Sequence, residues 1–232
     1  MDSTPRVLIA VVSCHARPIP RELLRSTWVP RVPQGIDLRF FLGTKPLETG
    51  GFVAQNDEVF LQCDDSYNGL PEKVQRIFRW ALEQGYDYCM KLDEDVCLLP
   101  EQWAKGFLRV DFSGLPNMSQ PGYLCPWGFA YVLSRRAMEI VVNSDLPRDN
   151  NDEQWVAQTL APHGVGLSAD IRYCLHTPKC NKKRTLRAPP RPATSEGSTT
   201  GAFAYCIFIP GDSPEKQAEY MKVWEKTCNE PT

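Results

Sequence analysis

Three consecutive carboxylates, Asp93, Glu94 and Asp95, are flanked by the apolar runs YDYCM and VCLL. Neighbouring strand residues point to opposite faces, so Asp93 and Asp95 are expected to share one face. At about 4 Å, two such charges repel by about 4 kcal/mol at an effective dielectric of 20, unless a cation or a raised pKa relieves them. Two hard oxygen ligands favour magnesium or manganese and leave coordination positions open for substrate phosphates.

The alternative for this triplet is a solvated strand end, with Lys91 as a surface ion-pair partner. Acidic triplets are common on protein surfaces, so the spacing alone does not choose between the two interpretations. An EF-hand is excluded, because no glycine and no downstream glutamate follow at the offsets that its calcium loop requires.

The elements that must position the carboxylates alternate between strand and helix along the first hundred residues. The strand candidates are RVLIAVVS (6–13), DLRFFLGT (37–44), NDEVFLQCD (56–64) and YDYCMKLDED (86–95). One helix is expected to open at Pro20, and another runs at helical spacing from Leu70 to a stop at Gly85. The alternation predicts an α/β fold with a largely parallel central sheet.

Ligands of parallel sheets sit beyond the carboxyl ends of the strands. SCHAR (13–17) and DED (93–95) follow two of the predicted strands. Both segments are therefore expected on the same rim of the sheet.

Further helices are predicted in the second half of the chain, at QWAKGFLRV (102–110), RRAMEIVVNS (135–144) and DNNDEQWVAQTL (149–160). In the last of these, Asn150 or Asn151 is the candidate cap, and Asp152 and Glu153 occupy the first turn. A strand (AFAYCIFIP) and a helix (SPEKQAEYMKVWEKT) are expected within residues 202–232.

A polar stretch, residues 178–201, is expected to be a long mobile loop rather than a linker, because apolar patterning resumes after it. Its basic residues could form a solvated loop, a lid over a diphosphate or an anionic acceptor, or a nucleic-acid patch. No aromatic residues interleave with the charges, which counts against binding of single strands. The basic residues are Lys179, Lys182, Lys183, Arg184, Arg187 and Arg191.

The composition of the 232 residues fits one globular domain. A formal net charge of -2 gives no general attraction to nucleic acid or to an anionic membrane. No segment reads as a secretory signal or a membrane-spanning helix, so a cytoplasmic location is expected, or the Golgi lumen if the chain is trimmed.

Nine cysteines, an odd number without a CxxC pair, are expected to be mostly reduced core residues. The alternative is a secreted chain with a bridge such as Cys174 to Cys180, which the odd count disfavours.

Six segments, in this order, resemble the β1,3-glycosyltransferases of family 31. That family includes β1,3-galactosyltransferases, β1,3-N-acetylglucosaminyltransferases and, more distantly, the Fringe enzymes. The segments are RELLRSTW (21–28), FFLGT (40–44), NDEVFLQCDDSYNGLPEKV (56–74), MKLDEDV (90–96), GYLCPWGFAYVLS (122–134) and DEQWVA (152–157).

The resemblance implies a GT-A fold, with a Rossmann-like, mostly parallel sheet flanked by helices. It also implies a nucleotide-sugar donor, usually UDP-linked, a manganese or magnesium ion, and inverting transfer to a hydroxyl of a glycan or glycoconjugate acceptor, with a β1,3 linkage. Residues 1–100 would then bind the nucleotide sugar, and residues 101–177 would hold the acceptor and the base.

The family pattern makes the acidic triplet a DxD element, with Asp95 as the main metal ligand and Asp93 beside it. Glu94 stands where the family commonly has Asp, and its longer side chain would meet the ribose or sugar of the donor. His176 follows the last matched strand, where related enzymes often place a metal-ligating His. His15 and His163 are expected to be structural or exposed.

A general base must take the proton of the acceptor hydroxyl as the diphosphate leaves. The family pattern assigns this role to Glu153, with Asp152 as the fallback if the register shifts by one residue. Both acids could instead complement the positive end of a helix.

Several residues are candidates for binding the donor. Arg21 and Arg25 are a helical turn apart and could present one basic face to the diphosphate, and Ser13 and Arg17 lie on the first loop of the predicted rim. The family pattern adds the nucleoside-binding Asp64, Asp65, Tyr67 and Lys73, and Trp127 and Gly128 near the transferred sugar.

Two other functions would use the same residues. A magnesium-dependent phosphoryl-transfer enzyme would need a nucleophilic Asp at the end of the first strand, and VVSCHA offers none. A catalytically inactive sugar-binding protein would keep nucleotide binding and would not depend on Glu153.

Overall fold

The structure, a computed structural model, describes residues 4–44, 52–106, 109–117, 124–170, 173–175 and 204–206. Its strands form an eight-stranded sheet in the order β3-β4-β2-β1-β5-β8-β7-β9, and a three-stranded sheet in the order β10-β11-β6. The strands are β1 (Val7–Val12), β2 (Ile36–Thr44), β3 (Phe52–Gln55), β4 (Glu58–Gln62), β5 (Tyr88–Asp93), β6 (Val96–Leu98), β7 (Phe112–Asn117), β8 (Cys125–Ser134), β9 (Ser168–Ala169), β10 (Tyr173–Leu175) and β11 (Ala204–Cys206).

The helices cover both faces of the larger sheet, which is the layer arrangement of an α/β fold. They are α1 (Pro18–Ser26), α2 (Leu70–Glu83), α3 (Pro100–Gly106), α4 (Arg135–Val142) and α5 (Asp152–Leu160). None of the helices in the described ranges is both long enough and apolar enough to cross a membrane.

The centre of the sheet is parallel, as predicted. β1 pairs in parallel with β2 on one side and β5 on the other, and β4 continues the parallel arrangement beyond β2. β3 and β8 pair antiparallel on the two flanks of these four strands. The carboxyl ends of β1, β2, β4 and β5 therefore meet at one rim.

Both faces of β1 are buried, so its sequence is a continuous apolar run. Val7, Ile9 and Val11 pack on one face with α1 and the buried Trp28. Leu8, Ala10 and Val12 pack on the other face with α2, α4 and α5. The alternation of six apolar residues between two cores fixes the register of this strand.

Several predicted boundaries need correction. The first helix opens at Pro18 rather than Pro20, because a proline is tolerated anywhere in a first turn. The strand predicted over 86–95 ends at Asp93, and the chain turns before β6 begins. β3, β6 and β7 were not predicted, since they are short and lack a strong apolar alternation.

Five cysteines, Cys14, Cys63, Cys89, Cys97 and Cys125, are thiols rather than disulfides. Burial raises the pKa of the Cys89 thiol, which is inert in the core. The predictions for His176, for the loop 178–201 and for the C-terminal helix concern residues outside the described ranges, and of the C-terminal strand only β11 is described.

Phe41 tests the core on the α2 side of the sheet. It is fully buried, and its ring meets the ring of Trp80 edge-on at 5.3 Å between centroids. We expect Phe41→Ala to lower the free energy of unfolding by about 3–5 kcal/mol, because it removes buried area and leaves a cavity. Urea denaturation followed by circular dichroism measures this change.

The control is Ile19→Ala, at an apolar residue of α1 that is 43% exposed. Its effect should stay within about 0.5 kcal/mol. A loss below about 1 kcal/mol for Phe41→Ala would contradict the packing described for this core.

Candidate functional site

The acidic triplet lies where β5 ends and the chain turns toward β6. Asp93 is the last strand residue, and Glu94 and Asp95 form the turn. The prediction that Asp93 and Asp95 share a strand face is therefore wrong, because strand alternation stops at Asp93. The turn instead brings each of the three carboxylates a different set of neighbours.

Asp93 is held by a buried cation. The Nζ of Lys91 lies 2.6 Å from its Oδ1, and Lys91 is only 1% exposed. The interpretation of Lys91 as a surface ion-pair partner is thus wrong, since this lysine is part of the interior of the site.

Glu94 reaches across to the loop after β1. Its Oε2 accepts a hydrogen bond of 2.5 Å from the Ser13 hydroxyl, and its Oε1 lies 3.1 Å from an Nη of Arg17. Burial raises the pKa of Glu94, while the Ser13 hydrogen bond and the Arg17 charge oppose this shift. Three predicted donor-binding residues are thereby brought together.

Asp95 is the carboxylate of the triplet left without a cation in contact. It is 7% exposed, and its Oδ1 has no hydrogen-bond partner within the described part of the chain. Burial and then the charge of Asp93 raise its pKa to about 7. A buried carboxylate oxygen without a partner is costly unless a cation reaches it.

A divalent metal fits this donor set. Asp95 and Asp93 supply hard oxygens, which suit magnesium or manganese, and few protein ligands leave room for phosphates. Across the described ranges, no three His, Cys, Asp or Glu side chains converge on one point. His176, the third predicted ligand, lies outside those ranges.

Asp65 connects the ends of three strands of the rim. Its Oδ1 accepts from the Gly43 amide at 2.6 Å and from Lys73 Nζ at 2.7 Å, and its Oδ2 accepts from the His15 amide at 2.6 Å. Lys73 also donates to the Ser13 carbonyl at 2.9 Å. These contacts fix the loop after β1 against β2 and α2.

Arg21 and Arg25 share one face of α1, since both contact Oε1 of Glu58, but this face meets carboxylates of the chain and is not open to a diphosphate as predicted. Arg21 is 8% exposed and donates to the Ser13 hydroxyl and to the Cys14 carbonyl, while its Nε pairs with Glu58. Arg25 makes ion pairs with three carboxylates instead, namely those of Glu22, Asp57 and Glu58. Both guanidinium groups thus serve the fold around the rim.

The first turn of α5 brings two more acids to the site. Asn151 caps this helix by accepting from the Gln154 amide, which decides between the two predicted caps. Asp152 is 1% exposed, accepts from the Tyr131 hydroxyl at 2.9 Å, and lies 3.7 Å from Lys91 Nζ.

Glu153 is partly buried against the backbone of β8. A Cβ added at Gly128 would lie 2.9 Å from Oε2 of Glu153, so this carboxylate needs a glycine there. Burial and then the charge of Asp152 raise the pKa of Glu153 to about 7. A carboxylate with such a pKa can exchange a proton near neutral pH.

The fully buried Asp152 and the partly buried Glu153 differ in what they can do. Asp152 is enclosed by Lys91 and Tyr131. Glu153 instead lies against Gly128 of β8, the strand that pairs with β5. Trp127, the other predicted sugar contact, is partly buried and packs against the α1 core. The geometry therefore favours Glu153 over Asp152 for contact with a ligand.

A cavity of about 780 Å³ opens beside the loop after β1. Its lining residues are His15, Gly43, Thr44, Gln62, Cys63, Asp64 and Asp65. This volume accommodates a nucleotide-sized ligand. Asp64 also lines a neighbouring groove of about 440 Å³ between α2 and residues 146–150.

Close backbone contacts shape both the cavity, which Gly43 lines, and the neighbouring groove, which Gly69 lines. A Cβ at Gly43 would lie 2.8 Å from the Cys63 carbonyl oxygen, and one at Gly69 would lie 2.5 Å from the Asp64 carbonyl oxygen. Both glycines are required for close backbone approach rather than for an unusual φ. Nearby, Tyr67 is 72% exposed, so the predicted nucleoside contact has a free side chain.

The sequence analysis missed three features of the site. His15 lines the cavity and stacks on Phe60, Gly43 donates to Asp65, and Lys91 lies at the centre of the carboxylates. Only Lys91 carried a signal, because a lysine inside an otherwise apolar buried strand needs a buried partner.

Comparisons with known proteins give a consistent result. Residues 20–120 match the family model described as Galactosyltransferase. No curated protein matches the chain. A solved glycosyltransferase involved in the glycosylation of the major capsid of PBCV-1 is similar over 93% of this chain and 99% of its own, with a TM-score of 0.51 and 15% identity.

Two further solved structures are more weakly similar. A Desulfovibrio desulfuricans G20 protein assigned as a nucleotide-diphospho-sugar transferase has a TM-score of 0.47 and 11% identity, over 72% of this chain and 80% of its own. The apo-form glycosyltransferase GlyE of Streptococcus pneumoniae TIGR4 has a TM-score of 0.44 and 9% identity, over 72% of this chain and 46% of its own.

Asp95 gives a prediction that needs no enzyme assay. In the metal-free protein its pKa is raised from 3.8 to about 7, so folding loses stability as pH rises between those values. We expect Asp95→Asn to raise the metal-free free energy of unfolding at pH 8 by at least about 1 kcal/mol, with little difference at pH 4. Urea denaturation in EDTA measures both values.

The same variant is expected to lose manganese binding. The electron paramagnetic resonance signal of free Mn²⁺ measures this loss. Asp111→Asn is the control, because Asp111 pairs with Ser134 and Arg136 on the surface. Retained Mn²⁺ affinity in Asp95→Asn would exclude this carboxylate as a ligand.

Proposed function

We propose that this chain is a metal-dependent inverting hexosyltransferase. The segment that matches the galactosyltransferase family and the GT-A fold support its assignment as a glycosyltransferase. It moves a sugar from a UDP-linked donor to a hydroxyl of a glycan or glycoconjugate acceptor and forms a β1,3 linkage. The observation that carries the proposal is that two different carboxylates lie at one rim of the sheet. Asp95 is buried and its Oδ1 has no hydrogen-bond partner in the described part of the chain, and Glu153 is partly buried with a pKa of about 7.

The cavity at the ends of β1, β2 and β4 is proposed to hold the nucleoside of the donor. Its walls combine the His15 ring with polar groups of Thr44, Gln62 and Asp64, a mixture that suits a base and a ribose. Arg17 is the cation on this side with a half-exposed side chain, 41%, and it can turn from Glu94 toward a diphosphate.

Asp95 and Asp93 would hold a manganese or magnesium ion. When bound, the ion supplies positive charge for the diphosphate that leaves. The remaining chemistry is carried by side chains of the chain itself.

Glu153 is proposed as the general base. The acceptor oxygen forms a bond to the anomeric carbon of the donor sugar while the bond from that carbon to the diphosphate oxygen breaks. The hydroxyl proton passes to a carboxylate oxygen of Glu153, and the electron pair of the broken bond stays with the diphosphate. Attack opposite the leaving group inverts the anomeric centre.

The proposal of a β1,3 linkage and a UDP donor is supported by the motif order in the sequence, which resembles family 31 over about residues 6–177. A phosphoryl-transfer enzyme is disfavoured at the end of β1. Ser13 occupies the position of the required nucleophilic Asp, and its hydroxyl is shared between Glu94 and Arg21.

The donor proposal is tested by thermal stabilisation. We expect a UDP-hexose, with UDP-galactose first in the screen, to raise the melting temperature in the presence of Mn²⁺ by several degrees. EDTA should abolish the shift, because the ion joins the diphosphate to Asp95. A screen of nucleotide sugars in which no donor gives a manganese-dependent shift would contradict the proposal.

Glu153→Gln tests the base. With the best donor and a panel of glycan acceptors, we expect kcat to fall at least about 100-fold, because the amide cannot take the proton. Donor binding should change less than about threefold. Glu139→Gln on the exposed face of α4 is the matched control.

The pH profile gives a second measurement. Because the pKa of Glu153 is about 7, kcat/KM should rise tenfold per pH unit below 7 and level off above it.

An inactive sugar-binding protein would show no transfer in the unmodified chain either. A Glu153→Gln variant as active as the Glu139→Gln control would exclude this base, and loss confined to Asp152→Asn would assign the role to Asp152.

A further inference from the structure

Lys91 connects three elements of the site. From β5, its ammonium group lies 2.6 Å from Asp93 at the end of the same strand and donates to the Gly128 carbonyl of β8. It also lies 3.7 Å from Asp152 in the first turn of α5. A single side chain thus contacts both Asp93 of the triplet and the helix that carries the proposed base.

The cost of burying this charge is offset by its partners. The carboxylates of Asp93 and Asp152, 2.6 Å and 3.7 Å from the ammonium, compensate its buried charge. The Tyr131 ring lies 5.7 Å from Nζ, and its hydroxyl donates to Asp152. The ammonium therefore has two hydrogen-bond acceptors, Asp93 and the Gly128 carbonyl, and a second carboxylate, Asp152, as an ion-pair neighbour.

Lys91 also separates the two aspartates of the triplet. Asp93 has this ammonium in hydrogen-bond contact, whereas Oδ1 of Asp95 has no hydrogen-bond partner in the described part of the chain. An ammonium bonded to Asp93 cancels part of its charge and competes with any metal for its oxygens.

We propose that Lys91 is a positioning residue that divides the triplet between two tasks. It draws Asp93 toward the base helix, leaves Asp95 as the principal metal ligand, and holds Gly128 and α5 so that Glu153 faces the donor. Lys91 thereby lowers the affinity of the triplet for the metal and keeps Glu153 in position to act as the base. This inference rests on the proposed function. It adds to that proposal the residue that holds the donor site and the base in their relative positions.

The inference predicts opposite effects on two measurements. In Lys91→Met the side chain keeps its length and loses its charge, so Asp93 becomes available to the metal. We expect the Mn²⁺ dissociation constant, measured without donor by electron paramagnetic resonance, to fall about 5–20-fold. We expect kcat to fall at least about 100-fold, with the donor KM changed less than about fivefold.

A merely structural lysine would behave differently, because a disturbed site binds manganese more weakly and binds the donor more weakly as well. Lys91→Arg keeps the charge, and it should return the Mn²⁺ dissociation constant to within about threefold of the unmodified value. Lys105→Met is the surface control, since Lys105 is exposed on α3. It should leave both measurements unchanged.

A second variant keeps the test valid if Lys91→Met does not fold. Lys91→Met with Asp152→Asn removes one charge of each sign, and the amide can still accept from Tyr131. Compared with Asp152→Asn alone, the double variant should again bind Mn²⁺ about 5–20-fold more tightly. Unchanged or weaker Mn²⁺ binding in both Lys91 variants would overturn the inference.

Failure of the proposed function is distinguishable from failure of this inference. A chain that binds Mn²⁺ but transfers no sugar from any donor would overturn the proposed function, and tighter Mn²⁺ binding by Lys91→Met would still support the role of Lys91. A transferase whose Lys91→Met variant binds Mn²⁺ no more tightly would overturn the inference alone. A chain that binds no Mn²⁺ would overturn both.

Discussion

Repulsion among neighbouring carboxylates is the constraint on which this rim depends. Three adjacent acids are tolerable here because the chain stops being a strand at Asp93 and turns. The first acid then meets the ammonium of Lys91, the second meets Ser13 and Arg17, and the third is left buried. Local backbone geometry thus decides the chemistry available to each carboxylate, and two aspartates in one triplet acquire different partners.

The same electrostatic logic extends to the loop after β1. Glu94, Arg21 and Lys73 all contact Ser13, and Lys73 also bonds Asp65. These charged groups are mostly buried, yet each has a partner of opposite charge or a carbonyl. Arg21, Arg25 and Lys73, which were predicted to bind the donor, therefore act mainly as supports, and Arg17 has a half-exposed side chain.

The fold was largely predictable because its strongest signals are local. Six apolar residues in β1 and helical spacing in α2 identify buried elements whatever surrounds them. The rim position of Ser13 and Asp93 followed from parallel topology alone. β3, β6 and β7 could not be predicted, because short strands owe their pairing to neighbours that are distant in sequence.

The candidate site was predictable in its acids and less so in its cations. Which residues are acidic and where their strands end can be read from the chain, and so Asp95 and Glu153 could be named as candidates whose roles stay predictions. Whether Arg21 turns inward depends on Glu58, some 37 positions away, and no periodicity reports such a pair. Lys91 was misjudged for the same reason, since two of its three partners, Gly128 and Asp152, come from β8 and α5.

The close backbone approaches at Gly43 and Gly69 have a consequence for how a ligand is met. Where main chain lies against main chain, as Gly43 lies against Cys63, that part of the wall keeps its shape whatever rotamers the neighbouring side chains adopt. This wall of the cavity is thus preorganised, and a ligand bound against it would cost the protein little conformational entropy.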